Sequence, residues 1–284
     1  MEFKNMSVEG LRPVSKGGTG ECFLLDDEKI LKLYYKGFPK DRAIQEKKNA
    51  KTAFVAGVPT PISFDLVVSD GRYGIIYEKL NEKTMSEVLQ EHPSKAAYMG
   101  KQMALIAQSI HTAKVKDKGF PKSTEKIVKS IPNATYLDDN TRKNVENFMR
   151  TLESTDSYVH GDFHTNNVMI EGDDIYLIDM GSYSIGSPLF DLAVLHFSLF
   201  DSPESCKGDI SSFNGLNRNT RIRFWNAFID EYYKNTSDEI KEEQISKMKM
   251  VILLIKLRFE ALYGKNVSEE YCREVRKQVM KVFG

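Results

Sequence analysis

The chain has 284 residues, 41% hydrophobic and 28% charged, a composition that excludes a disordered, fibrous or disulfide-framed protein. Forty basic and forty acidic residues cancel, so the net charge supplies no drive toward nucleic acid or an anionic membrane. Cys22, Cys206 and Cys272 lack metal-ligand spacing and read as reduced thiols of a cytoplasmic protein.

The opening MEFKNMSVEGLRPVSKGG has no apolar stretch of the kind a secretory signal needs. The first 80 residues read mostly as strands, with apolar runs broken by Gly-rich and Asp-rich turns. SKGGTGE, with Gly17, Gly18 and Gly20, reads as a hairpin turn. KILKLYY is a strand whose alternation places Ile30 and Lys32 on one face. DRAIQEKKNAKTAFVAGVPTP is helical, with Asp41 as a candidate cap and Gly57 and Pro59 as its stop. ISFDLVVSDGRYGIIYEKL returns as a hairpin around Asp70-Gly71.

From Thr84 the pattern becomes helical. SKAAYMGKQMALIAQSIHTAK repeats Met99, Met103, Ile106 and Ile110 at helical spacing. Three further helices are expected in RNTRIRFWNAFIDEYYKN, DEIKEEQISKMKMVILLIKLRFEALYG and SEEYCREVRKQVMKVF. The apolar run MVILLIKL is too short to span a bilayer and carries Lys256, so it reads as a buried helix segment. The expected architecture is α+β. A β-rich lobe over residues 1–80 precedes a larger helical lobe over 81–284, joined near Leu80 to Lys83.

Inside the helical region sits YVHGDFHTNNVMIEGDDIYLIDMG, Tyr158 to Gly181. NVMI-EGDD-IYLID reads as a hairpin with a four-residue turn at Glu171 to Asp174, pairing Ile170 with Ile175 and Val168 with Leu177. Neighbouring strands lie about 5 Å apart, so Asn167 and Asp179 meet at one end of it. An amide oxygen beside a carboxylate suits Mg²⁺, which takes few protein ligands plus water and phosphate oxygens. Asp162, five residues before Asn167, is placed to orient a hydroxyl and accept its proton. Taken singly, each of the three also reads as an Asx residue capping a turn.

His160 to Asn167, HGDFHTNN, resembles the catalytic loop of the aminoglycoside phosphotransferases and choline kinases, and LIDMG at Leu177 to Gly181 resembles their metal-binding segment. Protein kinases carry H-R-D and D-F-G at comparable places. The resemblance implies a two-lobed protein-kinase-like fold and transfer of the γ-phosphoryl group of ATP or GTP, with Mg²⁺, to a hydroxyl. It implies that Asp162 is catalytic, that Asn167 and Asp179 hold the metal, and that Lys32 grips the nucleotide phosphates. It implies that Glu46 holds Lys32, although a surface Glu beside Lys47 and Lys48 is the plain alternative. The loop over the phosphates would use Gly18 and Gly20, with Phe23 standing where a third glycine of G-x-G-x-x-G belongs. Glu78 and Leu80 would bind the base through their backbone, with Tyr77 behind it. His160 and the Asp191 of DLA would brace the loop, and His164 would contact phosphate or substrate, or simply pack.

Asp191 follows Asp179 by only twelve positions and no A-P-E block lies between them, which favours a small-molecule acceptor over a protein. A cationic acceptor would call for an acidic wall, with Asp201, Glu204, Asp230 and Glu231 as candidates, and for cation–π faces from Trp225, Tyr232 and Tyr233. The competing readings are a nucleotide-binding pseudokinase or regulatory module, and an atypical protein kinase.

Overall fold

The computed structural model describes residues 2–81, 83–116, 120–152, 156–202, 210–211 and 213–284. Glu82, Glu204 and Cys206, each within a stretch singled out from the sequence, lie outside the described residues. The chain divides into two compact units, one of Met1–Lys83 with Asn167–Tyr183, the other of Thr84–Asn166 with Ser184–Gly284. The hairpin segment after Asn167 therefore groups with the N-terminal strands, a grouping that a simple division at residue 80 does not contain.

The first unit is built on a six-stranded sheet. Its strands are β1 (Phe3–Asn5), β2 (Arg12–Lys16), β3 (Gly20–Leu24), β4 (Lys29–Tyr34), β5 (Ser63–Ser69) and β6 (Arg72–Glu78), in the order β1-β5-β6-β4-β3-β2. β1 runs parallel to β5 and the other pairs are antiparallel. Period-2 alternation divides the sheet into two faces. Leu31, Leu33 and Val67 gather on one face with Phe23. Tyr34, Leu66 and Ile75 gather on the other, against Ala43 of helix α1 (Lys40–Val55). Lys32 belongs to this second, helix-covered face.

Asp70 and Gly71 both take positive φ, 49° and 72°, as a two-residue hairpin loop between β5 and β6 demands. Helix α1 starts after Pro39 and passes into Gly57 at φ 83°. Asp41 does not cap it, contrary to expectation. Pro39 occupies the cap, and Asp41 lies in the first turn, where its charge complements the helix dipole. The buried side of α1 is unusual in composition, carrying Glu46 and Asn49 among Ala43, Ala50 and Ala53.

The hairpin pairs Val168–Glu171 with Asp174–Leu177 in the expected register, Val168 opposite Leu177 and Ile170 opposite Ile175. Its turn is tighter than expected. Glu171 pairs with Asp174, leaving only Gly172 and Asp173 in the loop, with Gly172 at φ 60°.

The second unit is helical. Thr84 and Glu87 form a reciprocal capping box at the start of α2 (Met85–Glu91). α3 (Ala96–Thr112) buries Met99, Met103, Ile106 and Ile110 as its spacing predicts. The short α4 (Thr124–Val128) follows, then α5 (Asp139–Thr151), α6 (Leu189–His196), α7 (Arg218–Tyr232), α8 (Asp238–Tyr263) and α9 (Glu269–Phe283). α5, not anticipated from the sequence, is capped by Asp138 and buries Thr141, Val145 and Met149. α3 and α7 cross closely at Gly100, where a Cβ would lie 2.3 Å from the Phe224 carbonyl oxygen. Among the described residues no helix is long and apolar enough to cross a membrane, and the MVILLIKL run buries Val251, Ile252, Leu254 and Leu257 within α8.

Candidate active site

In the first unit three charged side chains from distant parts of the sequence meet. The Lys32 ammonium donates to Glu46 Oε1 at 2.8 Å and to Asp179 Oδ1 at 3.0 Å. Tyr77 OH donates to the same Glu46 oxygen at 3.1 Å. The Tyr34 ring lies 5.3 Å from Lys32 Nζ and stacks in turn on Phe38. Burial by itself would lower the Lys32 pKa, but the Glu46 and Asp179 carboxylates outweigh it and hold the ammonium above the usual lysine range. Burial, reinforced by the Glu46 charge, raises the Tyr77 phenol well above its ordinary value, so it stays a neutral donor. Glu46 is 4% exposed, which rules out the surface-Glu alternative.

Asp179 follows the hairpin and sits at φ 60°, ψ 60°, left-handed for a residue with a side chain. Such a conformation costs on the order of 1–3 kcal/mol and persists only where its surroundings impose it. The Ile178 N–H donates to the Asn167 carbonyl at 3.0 Å, so the residue before Asp179 is hydrogen-bonded to Asn167. Asn167 is 8% exposed, whereas the Asp179 side chain keeps 40% of its surface. A carboxylate and an amide oxygen at one end of a hairpin form an all-oxygen donor pair, and that chemistry fits a hard divalent cation such as Mg²⁺.

The glycine loop is held by Gly17 N–H donating to Gly20 O at 2.9 Å and by Tyr35 OH donating to Gly17 O at 3.0 Å. Gly20 has a reason inside the fold, since a Cβ there would lie 2.4 Å from the Leu33 carbonyl oxygen of β4. Gly18 has none, because a Cβ there meets nothing within 4 Å. Glu78 closes β6 with its carboxylate accepting from Ile62 N–H at 3.1 Å, and Leu80 follows half-buried.

In the second unit the HGD loop is built around Asp191, which is fully buried on α6. Its Oδ2 accepts from the His160 backbone N–H at 2.7 Å and its Oδ1 from the Gly161 N–H at 2.7 Å. His111, at the end of α3, places Nε2 3.1 Å from Asp191 Oδ2 and Nδ1 2.8 Å from Tyr232 OH. Burial keeps the Tyr232 phenol protonated. The His111 tautomer that donates through Nε2 and accepts from Tyr232 at Nδ1 gives both ring nitrogens a partner. Gly161, at φ 77°, makes the sharp bend that aims both N–H groups at Asp191. His160 is fully buried and its Nδ1 accepts from the Asp162 N–H at 3.3 Å. Ser86 and Thr165 hydroxyls meet at 2.7 Å, tying the loop to α2.

The Asp162 side chain is 47% exposed, with Oδ1 3.4 Å from His164 Nε2. His164 is itself buried and stands edge-on to Phe213, ring centroids 5.0 Å apart. Sequence reasoning did not find His111, although it interrupts the apolar stripe of α3, nor Asn49, which shares the buried side of α1 with Glu46.

Among the described residues, the acidic candidates Asp201, Asp230 and Glu231 each have a basic neighbour. Asp201 lies 2.7 Å from His196 and 3.4 Å from Lys256. Burial would raise its pKa, but the His196 hydrogen bond and charge together with Lys256 bring it below the usual carboxylate range. Asp230 lies 3.7 Å from Lys241, and Glu231 pairs with Lys234. Tyr232 is engaged with His111, Tyr233 is buried, and Trp225 stacks on Phe228.

Solved structures share this fold at low identity. Aminoglycoside-3'-phosphotransferase of type VIII aligns with a TM-score of 0.59 and 14% identity over 85% of this chain and 93% of that one. A choline/ethanolamine kinase family protein from Mesorhizobium loti gives 0.59 and 14% over 95% and 87%. The ADP-bound aminoglycoside phosphotransferase APH(2'')-Ib gives 0.57 and 13% over 95% and 91%. No curated protein sequence matches the chain. Residues 10–225 match the phosphotransferase enzyme family as a whole. That match covers well over half the chain and contains the HGD loop, the Asp179 turn and the Lys32 strand, so the protein belongs to the phosphotransferase enzyme family.

Proposed function

We propose that the protein is a cytoplasmic small-molecule kinase that transfers the γ-phosphoryl group of ATP or GTP to a substrate hydroxyl. The observation that carries this reading is the Lys32–Glu46–Asp179 cluster, in which a largely buried ammonium is held between two carboxylates at a turn where the Asp179 carboxylate stays partly open. Lys32 grips the α- and β-phosphates, kept in place by Glu46. Backbone groups at Glu78 and Leu80 take the base, and those of the Gly18–Gly20 loop approach the phosphates. Asn167 and Asp179 would hold Mg²⁺, which when bound would supply positive charge against that developing on the transferred group. Asp162 accepts a hydrogen bond from the acceptor hydroxyl, aligns it, and takes its proton at the carboxylate as the new O–P bond forms and the bond from the γ-phosphorus to the β,γ-bridging oxygen breaks, releasing ADP or GDP. His164, beside Asp162, contacts the phosphate or the acceptor. Asp191 and His160 brace the loop that carries Asp162.

The acceptor is a small molecule. The stretch from Asp179 to Asp191 is taken up by a turn at Met180–Ser182, the two-residue strand Ser184–Ile185 and the first residues of α6, which leaves no chain for a peptide platform. Asp201, Asp230 and Glu231 each lie beside a basic side chain of their own chain, so a cationic acceptor that used them would compete with those partners.

The test is Mg²⁺-dependent release of ADP or GDP across aminoglycosides, choline, ethanolamine, sugars and hydroxy amino acids, with Asp162→Asn as the blank. Turnover with one acceptor class that Asp162→Asn abolishes is the expected result. Tight Mg·ATP binding without turnover on any acceptor, protein substrates included, would favour a regulatory nucleotide-binding module instead.

A further inference from the structure

The left-handed backbone at Asp179 needs something to impose it, and the neighbouring residues identify what does. The Asn49 side-chain N–H donates to the Met180 carbonyl at 2.9 Å, in a bond that is fully buried. The Gln45 amide N–H donates to Asn49 Oδ1 at 2.7 Å, which fixes the orientation of the Asn49 amide so that its NH₂ must face Met180. One turn earlier on the same helix, Glu46 Oε2 lies where a Cβ on Gly181 would come within 2.8 Å. The carboxylate of Glu46 therefore fills the space that the missing side chain of Gly181 leaves. Helix α1 is fastened to the Met180–Ser182 turn at two points, one a hydrogen bond and one a close steric fit. Between them, Lys32 joins Glu46 to Asp179.

We propose that Asn49, oriented by Gln45, is a positioning residue for metal binding: it holds the Met180 peptide and thereby aims the Asp179 carboxylate. The Met180 carbonyl also accepts from the Tyr183 N–H within its own turn at 3.1 Å, so what Asn49 adds is the tie from that carbonyl to α1, and Ala or Leu at position 49 supplies no such tie. Without it the turn is free to relax toward right-handed backbone, which carries the Asp179 carboxylate away from its working position while leaving Lys32 and Glu46 paired. The effect should then fall on the metal-dependent part of nucleotide affinity and spare the metal-independent part. This inference rests on the reading of Asp179 as a metal ligand given above.

The experiment measures ADP affinity of the full chain by calorimetry, with and without Mg²⁺, for wild type, Asn49→Leu and Gln45→Ala, together with the thermal midpoint of each free protein. For Asn49→Leu the expected result is an about 10-fold loss of Mg·ADP affinity, the size typical of removing a group that orients a metal ligand, with metal-free ADP affinity kept within about twofold. Gln45→Ala, on a less buried residue, should show the same pattern at about threefold and carries the test if Asn49→Leu does not fold. Equal losses with and without Mg²⁺, or a lowered thermal midpoint with the Mg²⁺ advantage intact, would overturn the inference and leave Asn49 a packing residue. A wild-type protein whose ADP affinity ignores Mg²⁺ would overturn the metal reading of Asp179 and this inference together, so the two failures are distinguishable.

Discussion

Asp179 and Asp191 lie twelve residues apart, yet their surroundings are opposite in kind. Asp191 is fully buried and takes two backbone N–H groups and a histidine. Asp179 keeps 40% of its side-chain surface, meets a lysine and sits on left-handed backbone. A carboxylate whose acceptor positions are filled by its own chain is a structural hub, because any ligand would have to displace those bonds. One that is partly open, paired with a lysine ammonium and held against its conformational preference is arranged to exchange partners. Asp162, 47% exposed on the loop that Asp191 braces, belongs to the second kind.

The contrast can be broken experimentally, and the largest expected effect is at Asp162. Asp162→Asn should lower turnover by about 10²- to 10⁴-fold, the range for loss of a positioned proton acceptor, without shifting the thermal midpoint. Wild-type turnover in this variant would remove Asp162 from the chemistry. At Asp191 the loss should be of stability. Asp191→Ala strands two buried N–H groups and His111, and denaturant titration should show a loss of about 3 kcal/mol or more. Stability within experimental error of wild type would show that the network is dispensable and the contrast false.

Asp179→Ala should leave stability nearly unchanged and weaken Mg·ADP binding by about 10- to 100-fold in calorimetry. A large stability loss with unchanged Mg·ADP affinity would instead place Asp179 with Asp191. The smallest effect sharpens the comparison with a third carboxylate. The folded-state pKa of Asp201 is depressed, so its stabilising contribution is present above the unfolded value and is lost as pH falls through the folded one. Asp201→Asn should therefore be less stable than wild type by about 1 kcal/mol near neutrality, and the difference should close as pH falls below about 4. A difference that persists unchanged into acid would mean that the ion pairs with His196 and Lys256 contribute nothing.

Much of this was legible locally. Alternation assigned Lys32 to the face shared with Ile30, and the same period, with a turn placed between Ile170 and Ile175, set Val168 opposite Leu177. Those features depend on residues a few positions apart, where chain geometry leaves few options. The turn was misjudged by one residue pair because Glu171 and Asp174 are polar enough to read as loop, whereas backbone pairing is indifferent to their side chains. The cap of α1 was misplaced because Pro39, whose fixed φ suits a helix start, outweighed the side-chain preference of Asp41.

By itself the sequence determined the strand and helix periods, the register of the hairpin and the order and spacing of the HGD motif and Asp179 along the chain, because each is written in short-range spacing. Tertiary structure alone decided which polar groups became partners. Asn49 bonds to Met180 across 131 positions, His111 to Asp191 across 80, and Lys256 to Asp201 across 55. Any asparagine, histidine or lysine in the chain has the chemistry to make those bonds. Burial chooses among them, since only a polar group removed from water must find its partner in the protein.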